Sequence, residues 1–350
     1  MRIRAAAGVV IAAATLAATG CGPSEPVEDP ASSGSEAAAG EGATEYPLTL
    51  QNCGREITVD APPDRAVSLD QNSTEILLSL GLEDRLAGTA SWTDPVLGDL
   101  AEAESEVPRL AQNAPTYEVV LDAEPDFITA SFGRHFTTEG GVASRDRFAE
   151  TGLESYLSPT DCEDGRSING GGTRTRMLET ESLYTEIRQL AQIFDVPSRG
   201  EDLVEDLQRR ADEALEGVDA DGATVAFWFA DTRTPYVAGG YGSAARLAET
   251  AGMQNVFAGT ADDWPARSWE TIVEKDPDVL VLGDLQRDRF PGDLLEEKIE
   301  FLESDPLTRN LEAVRQERYI ALHGAEMNPS IRFVDGLETI GEFWTEQDDE

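Results

Sequence analysis

Lysine is almost missing from this chain. Only Lys275 and Lys298 carry it in 350 residues, so nearly all of the 27 basic side chains are arginine, set against 68 acidic ones for a net charge of −41. A field of that sign repels nucleic acid and excludes it as a partner. Histidine is equally scarce, with His135 and His323 the two present, far apart in sequence. Neither an H-E-x-x-H run nor a G-x-S-x-G elbow occurs, and a hydrolytic triad would have to rest on one isolated imidazole. No catalytic residue, metal ligand or cofactor is therefore assigned. After the first 18 residues no apolar run is long enough to span a bilayer. The carboxylates fall mainly at helix-surface spacing, which reads as solubility rather than as a cation site.

What is present begins with a leader. Arg2 and Arg4 precede an apolar run from Ala5 to Ala18, 14 residues long, short of the roughly 20 that cross a membrane. It ends in LAATGC, Leu16 to Cys21, which resembles the lipobox of bacterial lipoproteins with Ala18 where leucine is usual. That resemblance implies a signal peptide over 1–20, acylation of Cys21 and an extracytoplasmic protein anchored to the cell membrane by lipid. Residues 21–45, rich in Gly, Ser, Pro, Ala and Glu, read as a disordered tether.

Three cysteines occur. With Cys21 consumed by lipid, Cys53 and Cys162 remain as an even pair in an oxidising compartment, where a disulfide is expected. It would close a loop of roughly 110 residues, worth about 4–5 kcal/mol in chain entropy. A metal site joining the two cysteines to His135 and His323 is the alternative.

From Tyr46 onward short strand-like and longer helical segments alternate, the pattern of α/β layers with largely parallel sheets. Strands are expected at 66–70, 85–90, 126–132 and 155–158, after an edge hairpin of 48–51 with 57–60. Two helices follow, 178–194 and 200–217, the second with Leu203, Leu207, Ala211 and Leu215 in one stripe. The alternation then restarts, with strands at 224–230, 236–238, 279–283 and 319–322. Such repetition predicts two Rossmann-like α/β lobes joined by one long α-helix: an N-terminal lobe over 46–197, an interlobe helix over 198–218 and a C-terminal lobe over 219–350. No later segment is expected to return to the first lobe.

Five stretches in order, APPDRAVSLDQNSTEILLSLGL (61–82), AEPDFITASF (123–132), RLAETAGMQNVF (246–257), SWETIVEKDPDVLVL (268–282) and ESDPLTRNLEAVRQERYIAL (303–322), resemble the iron-siderophore and cobalamin class of substrate-binding proteins of bacterial ABC importers. The resemblance implies a ligand cleft between the lobes, small closure about a stiff helix, and delivery of an iron(III)-siderophore or similar chelate to an ABC permease by a monomer. It also implies two permease-docking glutamates, one per lobe, which match Glu75 and Glu249. Bare zinc or manganese does not suit a chain with two histidines.

Ligands of α/β lobes lie beyond strand C-termini. Those loops, together with the resemblance, give Gln71, Asn72, Trp92, Tyr241, Trp264, Arg267 and Arg332 as ligand-binding candidates, with Arg332 aligned to an arginine frequent in the family at the start of the last helix, expected at 331–345. Trp269 is expected in the core. The Gly239–Gly242 run lacks the spacing of a phosphate loop and reads as close backbone packing. The alternatives are a cobalamin or haem carrier of the same fold, with His323, Tyr241 or Met327 as axial ligands, and a tethered extracellular hydrolase.

Overall fold

A computed structural model describes residues 43–348 except 221 and 288. The signal peptide, Cys21 and all but the end of the tether lie outside the described residues. The chain opens with a hairpin, β1 (Leu48–Asn52) antiparallel to β2 (Arg55–Val59). There follow β3 (Ala66–Ser68), α1 (Gln71–Ser79), β4 (Leu86–Ala90), α2 (Ala101–Ser105), β5 (Arg109–Ala111), α3 (Tyr117–Asp122), β6 (Phe127–Ala130), α4 (Arg145–Glu150) and β7 (Glu154–Leu157). Five of these strands form a parallel sheet in the order β5-β4-β3-β6-β7. Connections run outward on one side of β3 and resume on the other with β6. The crevice at the C-terminal ends of those two strands is thus a topological switch point, where such sheets bind ligands. A small hairpin, β8 (Cys162–Glu163) with β9 (Arg166–Ser167), follows. Cys162 is joined to Cys53 by the expected disulfide.

Two helices come next, α5 (Glu181–Ile193) and α6 (Pro197–Ala214). The stripe along α6 divides its loyalties: Val204 and Leu207 are buried in the core under the first sheet, while Ala214 and Leu215 pack on the second. Helix α6 starts three residues before the expected Gly200, because Pro197 sits in its first turn, where a missing N–H costs nothing.

The second lobe contains β10 (Thr224–Ala230), β11 (Tyr236–Val237), α7 (Ser243–Thr250), β12 (Gln254–Asn255), α8 (Trp269–Lys275), β13 (Val279–Asp284), α9 (Leu295–Ser304), α10 (Glu312–Arg315), β14 (Tyr319–His323) and α11 (Phe333–Asp348). Its sheet runs β11-β10-β13-β14, with β12 also on β10. Val279 to Leu282 are buried on both faces, as a central parallel strand requires, each side chain contributing about 1.5–3 kcal/mol. Trp269 lies in this core, as expected.

One expectation fails. The chain does return to the first lobe: Ile331 and Val334 insert into its core, while Met327, Phe333 and Leu337 belong to the core of the second. Apolar residues just before α11 and in its first turns let one segment seal both interiors.

Candidate functional site

The cleft between the sheets holds a cavity of about 400 Å³. Its first-lobe wall is built around the turn after β6. Asp70, at the end of β3, caps α1 by accepting from Ser73 N (3.0 Å), and its other oxygen accepts from Ser131 N and Phe132 N (2.8 and 3.2 Å). Asp161 accepts from Gly133 N (2.9 Å) and Ser167 Oγ (2.6 Å). Two buried carboxylates therefore knit a short turn, 133–136, whose side chains Arg134 and His135 line the cavity.

Arg134 lies over the Phe132 ring with its guanidinium carbon 4.2 Å from the centroid. Among the described residues its guanidinium makes no hydrogen bond or ion pair. Partial desolvation in the cleft lowers its pKa and the charges of Asp70 and Asp161 oppose that; the side chain is exposed to the cleft and stays cationic. His135 is buried with neither ring nitrogen hydrogen-bonded, its Nε2 3.7 Å from Asp70. Burial and the neighbouring Arg134 pull its pKa down to about 3, which leaves a neutral imidazole. Ser91 and Ser243, on opposite walls, likewise carry buried hydroxyls without partners among the described residues. Buried polar groups in that condition are costly unless something fills them, and His135, Ser91 and Ser243 face one cavity.

The second lobe supplies aromatics and two more arginines. Phe229 and Trp264 form a tilted pair with centroids 4.8 Å apart. Arg287 is held by the buried Asp293 through two bonds of 3.1 and 3.0 Å, and Asp293 also accepts from the backbone of Arg289 and Phe290. Lys298 donates to the carbonyls of Gly292 and Asp293 from beneath this loop. Burial pushes its pKa down to about 8. Arg289 reaches across to Gln112 O (3.1 Å) and to Asn113. Asp263, the acid in the lining, is neutralised by Arg174, which donates to both its oxygens at 2.9 and 3.0 Å. The lining is thus cationic within a chain of net charge −41.

Of the expected ligand contacts, Trp92 and Trp264 line the cavity. The others do not. Gln71 and Asn72 are buried beneath it, Gln71 accepting from Thr93 N and Asp94 N (both 3.0 Å) and Asn72 donating to Pro329 O (3.4 Å), so both serve the backbone. Tyr241 sits just outside, half-buried, its carbonyl accepting from Leu178 N. Arg267 donates to Thr260 Oγ1 (2.8 Å) and the Ala266 carbonyl, a local role. Arg332 is buried and forks onto Glu75. That contact corrects two expectations at once, for Glu75 is fully buried and presents no carboxylate to a permease. Glu249 is exposed, with Arg246 beside it. Gly239 and Gly240 are close-packing residues as expected: a Cβ would stand 1.8 Å from Asp262 O and 1.9 Å from Ala258 O.

Arg134, His135, Ser243, Arg287 and Arg289 were not expected. The only sequence signal for the first two was their position directly after the strand 126–132.

Two α/β lobes around a cleft lined by arginines and aromatic rings are the architecture of a ligand-binding protein. Residues 67–325 match the family described as periplasmic binding protein, and the chain belongs to it. A vitamin B12-binding protein of Vibrio parahaemolyticus is 23% identical over 221 residues, 63% of this chain and 70% of that one. A periplasmic binding protein of Veillonella parvula superposes with a TM-score of 0.71 at 24% identity, over 85% of this chain and 96% of that one. An ABC-type Fe3+-hydroxamate transport protein of Saccharomonospora viridis gives 0.68 at 25% identity, over 85% and 99%. Membership implies an extracytoplasmic solute-binding role in association with ABC permease subunits. No helix among the described residues is long and apolar enough to cross a membrane.

Proposed function

We propose that this protein is the lipid-anchored receptor of an ABC importer, acting as a monomer, which captures a small anionic metal chelate, an iron(III)-siderophore by preference, and hands it to the permease. The observation that carries the reading is Arg134. Its guanidinium is exposed to the open cleft and makes no hydrogen bond or ion pair among the described residues, so an acid group on the cargo can take it in a charge-assisted fork. Arg287 faces the cargo from the other lobe, and Trp92, Phe132, Phe229 and Trp264 offer apolar surface for its body. The iron-hydroxamate transport protein among the structural neighbours supports iron as the metal. Glu249 is the remaining candidate for permease docking. Cys21 is the proposed site of the lipid.

Cobalamin has the support of the relative from Vibrio, and is the second reading. Of the axial ligands expected for haem, Tyr241 and His323 lie outside the lining, His323 with its Nδ1 at 3.3 Å from Asp284 O, and Met327 is fully buried. Quenching of tryptophan fluorescence by ferric citrate, a ferric tris-catecholate, a ferric tris-hydroxamate, cyanocobalamin and haemin tests the reading. Saturable quenching by an anionic ferric chelate is expected. A response to cyanocobalamin or haemin alone, or hydrolytic turnover in place of binding, would reject it.

A further inference from the structure

Glu75 and Arg332 lie 257 residues apart in sequence, on opposite lobes, and both are almost fully buried. Arg332 Nε donates to Glu75 Oε2 at 2.8 Å, Nη2 donates to the other carboxylate oxygen, and Nη2 also reaches Pro95 O at 2.6 Å. One guanidinium therefore grips two separate segments of the first lobe. Around it Ala325 N donates to the first-lobe Asp94 (2.8 Å), and Gln71 braces Glu75 from one helical turn away (3.1 Å). Neither Glu75 nor Arg332 lines the 400 Å³ cavity.

We infer that this pair is a pin that fixes the interlobe angle, so that Glu75 and Arg332 are positioning residues for the cleft. The reasoning is geometric. The lobes are already joined by α6, whose Arg210 donates to Asp335 (2.6 Å) and Glu338 (2.9 and 2.7 Å) of α11. One connecting helix leaves two bodies free to rock and twist about it. Arg174 on Asp263 and Arg289 on Gln112 O and Asn113 also cross between the lobes; a buried, rigid attachment at Glu75 adds to these and leaves rotation about the line through it and α6 as the freest motion. A two-pronged ion pair suits that task better than apolar contact does, because its geometry is specific and buried fork contacts do not slide. Apolar side chains at the same place, Ile331 and Val334, supply cohesion without fixing an angle.

The inference presupposes that the cleft is the working site, but its test needs no cargo, so the two can fail separately. Spin labels are placed at the exposed helix positions Glu118 and Glu300, one on each lobe, through a non-canonical amino acid that leaves the Cys53–Cys162 bridge alone. The interlobe distance distribution of the full chain is then measured by pulsed electron resonance, alongside a thermal melt. Replacing both residues by Met (Glu75→Met with Arg332→Met) removes the charges together, a change that buried pairs commonly tolerate. The expected result is a distribution at least twofold wider with a melting temperature near that of the wild type. An unchanged width, whatever the melting temperature, overturns the pin. Should the paired variant not fold, Arg332→Lys keeps the charge and loses the fork. Broadening is again expected, and an unchanged width again overturns the proposal.

Discussion

The two lobes floor the same cleft with opposite materials. Under the first sheet lie buried polar and acidic groups, among them Asp70, Glu75, Thr129, Ser131, Asp161 and Glu186. Under the second lie Val225, Phe227, Val281, Leu282 and Leu322, with Asp293, Lys298, Glu326 and Arg332 the buried charges. A parallel sheet needs only apolar contact to hold its helices, so the acidic floor of the first lobe is an expense that packing does not explain. It is intelligible as support: Asp70 and Asp161 shape the turn that presents Arg134, Glu75 holds Arg332, and Glu186 accepts from Ser131 (2.8 Å) and Ser158 beneath that turn. The second lobe contributes surface, and the first contributes charge placement.

The contrast can be broken most severely at Glu75. Truncation to Ala leaves Arg332 buried without its partner and is expected to cost about 3–5 kcal/mol in urea unfolding. The matching change in the second lobe, Lys298→Met, removes an ammonium whose contacts are two carbonyls and is expected to cost under about 1.5 kcal/mol. Equal losses at the two positions would erase the asymmetry. Arg134→Ala comes next: cargo affinity falls roughly 10- to 100-fold, equivalent to about 1.5–3 kcal/mol, while the urea midpoint stays put. A midpoint that drops as the affinity does would mean that Arg134 holds the fold instead.

One buried acid from each lobe also sets a pH dependence. Burial, helped by the charges of Asp70 and Asp161, raises Glu186 to about 8, and burial raises Glu326 to about 7, both from an ordinary 4.5. Between about pH 4.5 and 8 the folded protein keeps protons that the unfolded chain has lost. Stability contributed by these groups is therefore whole below pH 4.5 and declines as pH rises through 7 and 8. Melting temperatures recorded across that range should fall, and Glu186→Gln should flatten the slope; an identical slope in the variant would remove Glu186 from the account. The smallest effect is reserved for Glu249→Ala, an exposed position where stability and affinity should move by less than about 0.5 kcal/mol while uptake through the permease is lost. Normal uptake would end its docking role.

Much of this architecture was legible in the chain. Strand and helix positions followed from periodicity, and the α6 stripe, Leu203 to Leu215, marked a helix with one apolar face without announcing that the face serves two cores. The disulfide followed from counting cysteines. The site was legible only in part, because side-chain direction at a strand end depends on a turn of four residues that leaves no periodic trace. Arg134 looks in sequence like any arginine of an acidic protein, and only the turn after β6 aims it inward. Glu75 and Arg332 each looked like a surface or ligand charge. Their meeting depends on the 325–337 segment folding back, which no local pattern announces.

The most direct test is a structure of the protein with a ferric chelate bound. An acid oxygen of the cargo within about 2.7–3.2 Å of the Arg134 guanidinium, inside the cleft, is the predicted result. Cargo seated elsewhere, or an uncharged face of it turned toward Arg134, would contradict the account.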